Sequence, residues 1–357
     1  MGDHVFGLNA THKLFGLDIG SSAVKLLEFS GTPPNPRVDA YAWAALPEGA
    51  VVADQVHDEG QVARVINQVV QESGSKTRHC AIGVGQGLTG ITKVIQLPAT
   101  LSDDQLEEQI KVDFERHIPH RITAVNWDFQ RLGPTPGRES LVDVLLVACR
   151  REIVVRHEAA VNRAGLSCDV IDLTVFALHR AVGNLLLRDQ SINSFAIMDL
   201  GASVSRVHVF LNGMLQHVRD VDVAGHQLTD GLRETYNLSY EEALEALRAG
   251  KLPQGYERSV VAPFEEELRL QLNRSLRSLR TADLELSQLQ QIFLCGGCAE
   301  VPGLAERLAS DLGVPVQVAN PFSRLPLGGR VAREELRRNG PMLMMAAGLA
   351  LRGLRHD

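Results

Sequence analysis

The amino-acid sequence predicts an α/β protein of two packed lobes related by an approximate internal duplication. Three observations carry that expectation. Short apolar runs of strand length alternate with segments of helical spacing along the whole chain. Two pieces of one pattern, Phe15–Phe29 and Phe195–Phe210, each read strand, D-x-G-x-S turn, strand, and lie about half a chain apart. At 357 residues the chain is long enough for more than one core, and no low-complexity linker divides the halves.

Taken in order, Leu14–Leu17 and Ala23–Phe29 are apolar strands around the DIGSS turn, and Val38–Leu46 is a third, ended by Pro47. Gln61–Glu72 carries apolar residues at helical spacing and stops at Ser73-Gly74. Cys80–Val84 and Ile91–Leu97 read as strands. Ser102-Asp-Asp-Gln105 is a capping box opening a helix to about His117, before Pro119. Val125–Leu132 and Leu141–Cys149 follow as strands, separated by a Gly/Pro loop at Gly133–Gly137. Helix Glu152–Ala164, strand Asp169–Leu173 and helix Phe176–Leu187 complete the first half.

The second half restarts with strands Phe195–Leu200 and Arg206–Phe210, an Asn212-Gly213 hairpin turn and strand Leu215–Val223. Helices are expected over Gln227–Tyr236, Tyr240–Arg248 and a long Pro263–Leu284. Strand Ile292–Cys295, a Gly-Gly turn, helix Leu304–Ser310, strand Val316–Val318 and helix Pro341–Leu351 end the chain.

Composition excludes several classes. A net charge of −7 leaves no basic surplus for a nucleic-acid backbone. The first dozen residues lack a basic start followed by an apolar run, so no signal peptide is expected. The longest apolar run near an end, Met342–Leu351, is about half the roughly 20 residues of a membrane span. These features predict a cytoplasmic chain. Five scattered cysteines do not make a disulfide framework, and Cys295-Gly-Gly-Cys298 lacks the second pair of a zinc site. Gly85-Gln-Gly87-Leu-Thr-Gly90 fits G-x-G-x-x-G but precedes a strand, so no helix N-terminus faces a phosphate there. Ser22 and His208 lack the nucleophile elbow of a hydrolase triad.

One D-x-G turn is ordinary hairpin chemistry. Two of them, Asp18-Ile-Gly20-Ser21-Ser22 and Asp199-Leu-Gly201-Ala202-Ser203, can face each other across a cleft between lobes. Glycine admits a phosphate close to the backbone, successive N–H groups form an anion nest, and serine hydroxyls add donors. The carboxylates of Asp18 and Asp199 would repel phosphate unless a Mg²⁺, held largely through its waters, lies between them. Lys25 supplies a point charge to the phosphates. Ile292–Gly297 ends a strand on a Gly-Gly turn, a flat surface suited to a nucleoside.

These three elements, in this order, resemble the actin/Hsp70/sugar-kinase ATPase superfamily, and more narrowly the PilM family of type IV pilus assembly proteins. The resemblance rests on F-G-L-D-I-G-S-S-A-V-K-L-L-E at 15–28, L-S-D-D-Q-L-E-E-Q-I at 101–110 and E-R-H-I-P at 115–119. It continues through L-L-V-A-C-R-R-E at 145–152, A-G-L-S-C-D-V-I-D at 164–172 and I-M-D-L-G-A-S at 197–203. F-L-C-G-G-C-A-E-V-P-G-L at 293–304, N-P-F at 320–322 and A-A-G-L-A-L-R-G at 346–353 complete it. The phosphate loops specify only the superfamily. The 101–119 segment and N-P-F point to PilM.

The resemblance implies an actin-like, ribonuclease H-like duplicated fold with four subdomains. They fall at 13–37, 147–190 and 341–357 for 1A, and at 38–146 for the inserted 1C. Subdomain 2A takes 191–229 and 286–340, and 2B takes 230–285. It implies ATP and Mg²⁺ between the lobes. Asp18, Gly20, Ser21, Ser22 and Lys25 then form the first phosphate loop, Asp199, Gly201, Ala202 and Ser203 the second, and Gly296 and Gly297 the adenosine loop. Val223–Thr229 resembles the family's V-G-G-x-x-L-T stretch with Ala224 replacing the first glycine, so Gly225 is the implied contact. Arg274 and Ser275 match an adenosine contact more loosely.

The implied partner is the cytoplasmic N-terminal peptide of PilN, in a groove between 1A and 1C with a wall near Gln109–Ile118. Other pilus platform and motor proteins, and further copies of the chain, are additional candidates. The protein would then lie at the inner face of the inner membrane, held through its partner. Relatives place threonine after the small residues of the second loop where this chain has Ser203-Val-Ser205, so ATP binding with slow hydrolysis is expected. One alternative is an FtsA-like cell-division protein; the chain's end at Leu351–Asp357 leaves no room for that family's amphipathic anchor. The other is a small-molecule phosphotransferase of the sugar-kinase kind, for which no separate base or sugar pocket is evident.

Overall fold

A computed structural model describes residues 13–33, 35–85, 89–187, 191–277 and 288–354. The first half runs β1 (Phe15–Ile19), β2 (Ala23–Ser30), β3 (Arg37–Ala45), β4 (Val51–Val52), β5 (Gln55–Val56), α1 (Glu59–Ser73) and β6 (His79–Val84). It continues with β7 (Gly90–Pro98), α2 (Asp103–His117), β8 (Val125–Thr135), β9 (Arg138–Arg150), α3 (Arg151–Arg163), β10 (Ser167–Leu173) and α4 (Thr174–Ala181). The second half runs β11 (Phe195–Leu200), β12 (Ser205–Leu211), β13 (Met214–Val221), α5 (His226–Tyr236), α6 (Tyr240–Ala249) and α7 (Ala262–Arg277). It ends with β14 (Gln291–Cys295), α8 (Leu304–Leu312), β15 (Val316–Val318), α9 (Arg333–Arg338) and α10 (Met344–Ala350).

The duplication is explicit in the sheets. One five-stranded sheet has the order β3-β2-β1-β6-β10, the other β13-β12-β11-β14-β15. In each, three consecutive strands form an antiparallel meander, and its first strand also pairs in parallel with a strand that returns through a crossover. Central strands such as β1 and β11 are buried on both faces and apolar apart from Asp18 and Asp199, because helices or the other lobe cover both sides.

Local signals set the helix ends. Asp58 caps α1 by accepting from Gln61 N–H at 2.8 Å, and Gly74 closes it in the left-handed conformation at φ 67°. Ser102 and Gln105 form the expected capping box on α2. The three-stranded sheet β7-β9-β8 packs Ile95, Val144 and Leu146 beneath Leu106, Ile110 and Phe114 of α2, forming a separate small core.

Several expectations change. The inserted unit is narrower than 38–146. β3 pairs along the whole of β2 and β6 pairs in parallel with β1, so both strands belong to the first sheet. The unit with its own sheet is β7, α2, β8 and β9. The end of the proposed 2A also moves. Phe322, Leu325 and Leu336 pack with Leu27, Phe29 and Val38, while Val38 N–H donates to the Pro326 carbonyl at 2.9 Å. The N-P-F segment therefore seals the first lobe.

The Gly133–Gly137 loop is mostly strand: β8 reaches Thr135, and register shifts at Gly133 and Pro134 absorb the irregular residues. The helix from Phe176 starts two residues earlier and loosens into a π-helical turn over Val182–Leu186. The long helix is described to Arg277; the remainder of its predicted span, to Leu284, lies outside the described residues. The β4–β5 hairpin and α9 carry too few periodic residues to be legible in sequence.

The two sheets meet through α4. Phe195, Phe210 and Phe293 of the second sheet join the first lobe's core with Ala177 and Ala181. The His179 ring stands 5.8 Å from Phe195 and 4.6 Å from Phe210, centroid to centroid. Among the described residues no helix is long and apolar enough to cross a membrane.

Candidate functional site

Each D-x-G turn lies at the mouth of an antiparallel hairpin, and register decides what faces the aspartate. Asp18 on β1 sits opposite Lys25 on β2, and Lys25 Nζ lies 2.8 Å from Asp18 Oδ2. Gly20 N–H donates to the Ala23 carbonyl at 3.0 Å, closing the turn that holds half-buried Ser21 and Ser22. A Cβ on Gly20 would stand 3.1 Å from Lys25 Nζ and 3.3 Å from the Ala23 carbonyl oxygen, so glycine leaves room for this cation at the turn. Leu46 N–H donates to the Ser22 carbonyl at 2.9 Å and fixes the loop against the end of β3.

The second hairpin repeats this register with another cation. Asp199 on β11 sits opposite Arg206 on β12. Gly225 N–H donates to the Gly201 carbonyl at 2.9 Å, and His226 N–H to the Ala202 carbonyl at 2.7 Å. A Cβ on Gly225 would press to 2.7 Å from Cys298 Sγ, with Ala202 Cα at 3.5 Å. Gly296 takes φ 92°, and a Cβ there would collide with the Leu200 backbone. Cys298 N–H donates to the Leu200 carbonyl at 3.3 Å. Three segments distant in sequence thus converge at the end of β11: Asp199–Ser203, Gly225 and Gly296-Gly297. Ser203 is exposed at the loop, and nothing stands within 4 Å of a Cβ placed on Gly297. Arg274 is exposed and Ser275 buried on α7, which packs against α8, β12 and β13.

Two cleft residues escaped the sequence reading. Arg206 Nη2 lies 2.9 Å from Asp54 Oδ2, and its Nε lies 2.9 Å from Asp220 Oδ1. The available signal was D-x₆-K at Asp18–Lys25 repeated as D-x₆-R at Asp199–Arg206. Asp54 had none, because it comes from the short β4–β5 hairpin. Ala53 and Asp54 both adopt left-handed φ, 48° and 63°, as a two-residue type I′ turn requires. Alanine in that region costs about 1 kcal/mol, offset by Val51 and Val56 packed in the first core.

The electrostatics tie both lobes together. Burial raises the Asp199 carboxyl above its ordinary value; Arg206 and Lys25 pull it down, while Asp18 and Asp54 push it up. Burial likewise raises Asp54, with Arg206 opposing and Asp220 and Asp18 adding to the rise. Carboxylates from opposite lobes therefore sense one another's charge. Among the described residues no three His, Cys, Asp or Glu side chains assemble into a metal-ligand set. The donor set of Asp18 and Asp199, two hard oxygen donors beside glycine-cleared turns, suits a cation that takes its other ligands from water and phosphate.

The remaining motifs resolve as packing. Gly85 has φ 71°, and a Cβ on Gly90 would collide with the Gly85 carbonyl, so these glycines let β7 leave the first sheet; residues 86–88 of that motif lie outside the described set. Cys295 and Cys298 are free thiols, Cys295 buried with its Sγ 3.8 Å from Asp199 Oδ1. His208 is buried on β12 with neither ring nitrogen hydrogen-bonded.

Comparison with known proteins agrees with this geometry. The family model "Type IV pilus assembly protein PilM" matches residues 16–354. A solved structure, "PilM-PilN type IV pilus biogenesis complex", superposes with a TM-score of 0.81 at 28% identity, covering 97% of this chain and 99% of that one. The ethanolamine utilization protein EutJ of Carboxydothermus hydrogenoformans shares the fold, with a TM-score of 0.58 at 17% identity over 97% of this chain and 92% of its own. Cell division protein FtsA of Rhizobium meliloti is 26% identical over 59% of this chain and 51% of its own length. That of Pseudomonas aeruginosa is 24% identical over 87% of this chain and 83% of its own. The chain spans about half the length of the first of these curated relatives. The duplicated actin-like fold and the match along nearly the whole chain lead to one conclusion: the chain belongs to the PilM family of type IV pilus assembly proteins.

Proposed function

We propose that this protein binds Mg-ATP between its two aspartate hairpins and uses the bound nucleotide to control lobe closure and capture of a membrane-protein peptide during pilus assembly. The observation that carries the nucleotide reading is the repeated register of Asp18–Lys25 and Asp199–Arg206, joined by Gly201, Gly225 and Gly296 at the end of β11. Lys25 would turn its charge to phosphate oxygens. The turn N–H groups and the hydroxyls of Ser21, Ser22 and Ser203 supply donors to them. Asp18 and Asp199 would hold Mg²⁺ largely through its waters, and the ion would neutralise phosphate charge. Gly296 and Gly297 offer the flat surface for adenosine, with Arg274 and Ser275 its more distant candidates.

The partner reading is the cytoplasmic N-terminal peptide of PilN, supported by the likeness to a solved PilM–PilN complex. The groove would lie between the first lobe and the β7–β9 unit, with a wall near Gln109–Ile118 at α2. An extended peptide there would gain affinity from backbone pairing and apolar pockets. The protein would act in the cytoplasm, at the inner face of the inner membrane.

Asp18→Ala should lower Mg-ATP affinity about 10- to 100-fold, the worth of a lost charge-assisted contact, with the fold retained although Lys25 loses its partner. Calorimetric titration showing wild-type affinity in that variant would overturn the nucleotide reading. Steady-state ATP turnover should fall well below the roughly 10 s⁻¹ typical of enzymes, and a kinase-like rate would contradict an assembly role. Titrating a synthetic PilN N-terminal peptide with and without Mg-ATP tests partner and coupling together. Equal affinity in the two conditions would remove the coupling.

A further inference from the structure

The two D-x-G hairpins differ in where their cations go. Lys25 pairs with Asp18 inside its own hairpin. Arg206, 5% exposed, instead reaches out of the second lobe to Asp54 on the first, 152 residues away in sequence. A second oxygen partner, Asp220, lies on β13 beside it in the same sheet, with Arg206 and Asp220 paired in register. One guanidinium thus holds one carboxylate of its own lobe and one of the opposite lobe.

The Asp54 carboxylate is held out by a rigid device. Ala53 and Asp54 are the whole loop between β4 and β5, with Val51 paired to Val56 and Val52 to Gln55. The hairpin is anchored on the first lobe, where Arg156 Nη1 donates to the Val56 carbonyl at 3.2 Å and His57 N–H to the Ala50 carbonyl at 2.9 Å. A two-residue turn with both φ positive has little freedom to follow Arg206 if the lobes separate. A separation of the lobes at this edge therefore stretches the ion pair.

We propose that Asp54 and Arg206 form an interlobe clasp beside the two aspartate hairpins, and that it sets how readily the lobes open and release what lies between them. The clasp stands on geometry alone; its effect on nucleotide rests on the Mg-ATP reading above. Arg206 also stands in register opposite Asp199 on β11, so the clasp holds its cation beside the second aspartate hairpin.

Asp54→Asn separates the possibilities, because asparagine tolerates the left-handed conformation and keeps the turn while removing the charge. Asp220→Asn is the control: it takes a partner from the same arginine without touching the lobe–lobe contact. In nucleotide-free protein, hydrogen exchange in peptides covering 49–58 and 203–222 should quicken about tenfold in Asp54→Asn, as expected for loss of a charge-assisted hydrogen bond, and stay near wild type in Asp220→Asn. Release of a fluorescent ATP analogue should accelerate by a similar factor in Asp54→Asn only. Wild-type exchange in Asp54→Asn, or equal effects of the two variants, would overturn the clasp. If no variant binds the analogue, the nucleotide reading fails while the exchange comparison still decides the clasp.

Discussion

Gly348→Val should unfold the first lobe. Every residue of α10 from Met344 to Ala350 is buried. The helix lies between β1 and α4, so near both that only hydrogen atoms fit. A Cβ on Gly348 would overlap the Ala177 backbone of α4, and one on Gly16 would overlap the Ala346 carbonyl of the same helix. These obstacles are main chain, which cannot rotate away. Overpacking usually costs about 1–3 kcal/mol, and backbone collision should take the cost to about 4 kcal/mol or more, out of a total stability of about 5–15. The Arg180 bond to the Gly348 carbonyl, at 3.2 Å, would be strained as the helix shifts, beside an Arg180–Asp172 pair at 2.7 Å. A melting midpoint lowered by at least about 10 °C, or an insoluble product, is expected. Gly183→Ala is the control, since nothing stands within 4 Å of its added Cβ. A Gly348→Val midpoint near wild type would show that α10 has room to move.

Acid should weaken the protein well above the range where exposed carboxylates titrate. Burial lowers His208 to about 3, with Arg206 adding to the effect, and lowers His179 to about 4, with Arg180 adding. His157, buried on α3 with Nδ1 2.8 Å from the Ile153 carbonyl, is also lowered by burial. Unfolded histidine titrates near 6.5, so from about pH 6.5 down to about 4 the unfolded chain binds more protons than the folded one. Stability contributed by these neutral rings is complete above about pH 7 and is lost as pH falls through that window. Each depressed histidine removes about 1.4 kcal/mol per pH unit there. Asp199 and Asp54, raised by burial, act in the opposite sense and offset part of the loss.

His179 packs beside Phe195 and Phe210 where the lobes meet. His208 alternates along β12 with Arg206 and Phe210, on the same face of that strand, so acid should loosen that interface. Urea unfolding at pH 7 and pH 5 checks this. Wild type should lose several kcal/mol, and His208→Leu should lose about 2 kcal/mol less, because leucine fills the site without a proton to gain. Equal losses in the two proteins would show that His208 does not drive the transition.

The sequence was legible where local physics suffices. The Ser102 capping box, Gly74 after α1, and the Asn212-Gly213 turn at φ 49° and 74° appear where residue chemistry places them. The duplicated Asp18 and Asp199 turns were visible because a repeated motif outweighs a single one. Lys25 was found because it lies beside its turn, whereas Arg206 needed the register of β12 before its matching role could be seen.

By itself, then, the sequence determined the α/β alternation, the two matching hairpins and the family likeness, because periodicity, caps and turn residues act over a few neighbouring positions. Tertiary structure alone decided which lobe owns a strand and which charges meet. β3 and β6 joined the first sheet through pairing with β2 and β1. The N-P-F segment crossed back to seal that lobe. Asp54 acquired a partner 152 residues away because two lobes closed on each other. Hydrogen-bond register and interlobe packing are long-range properties, and no window of residues contains both halves of them.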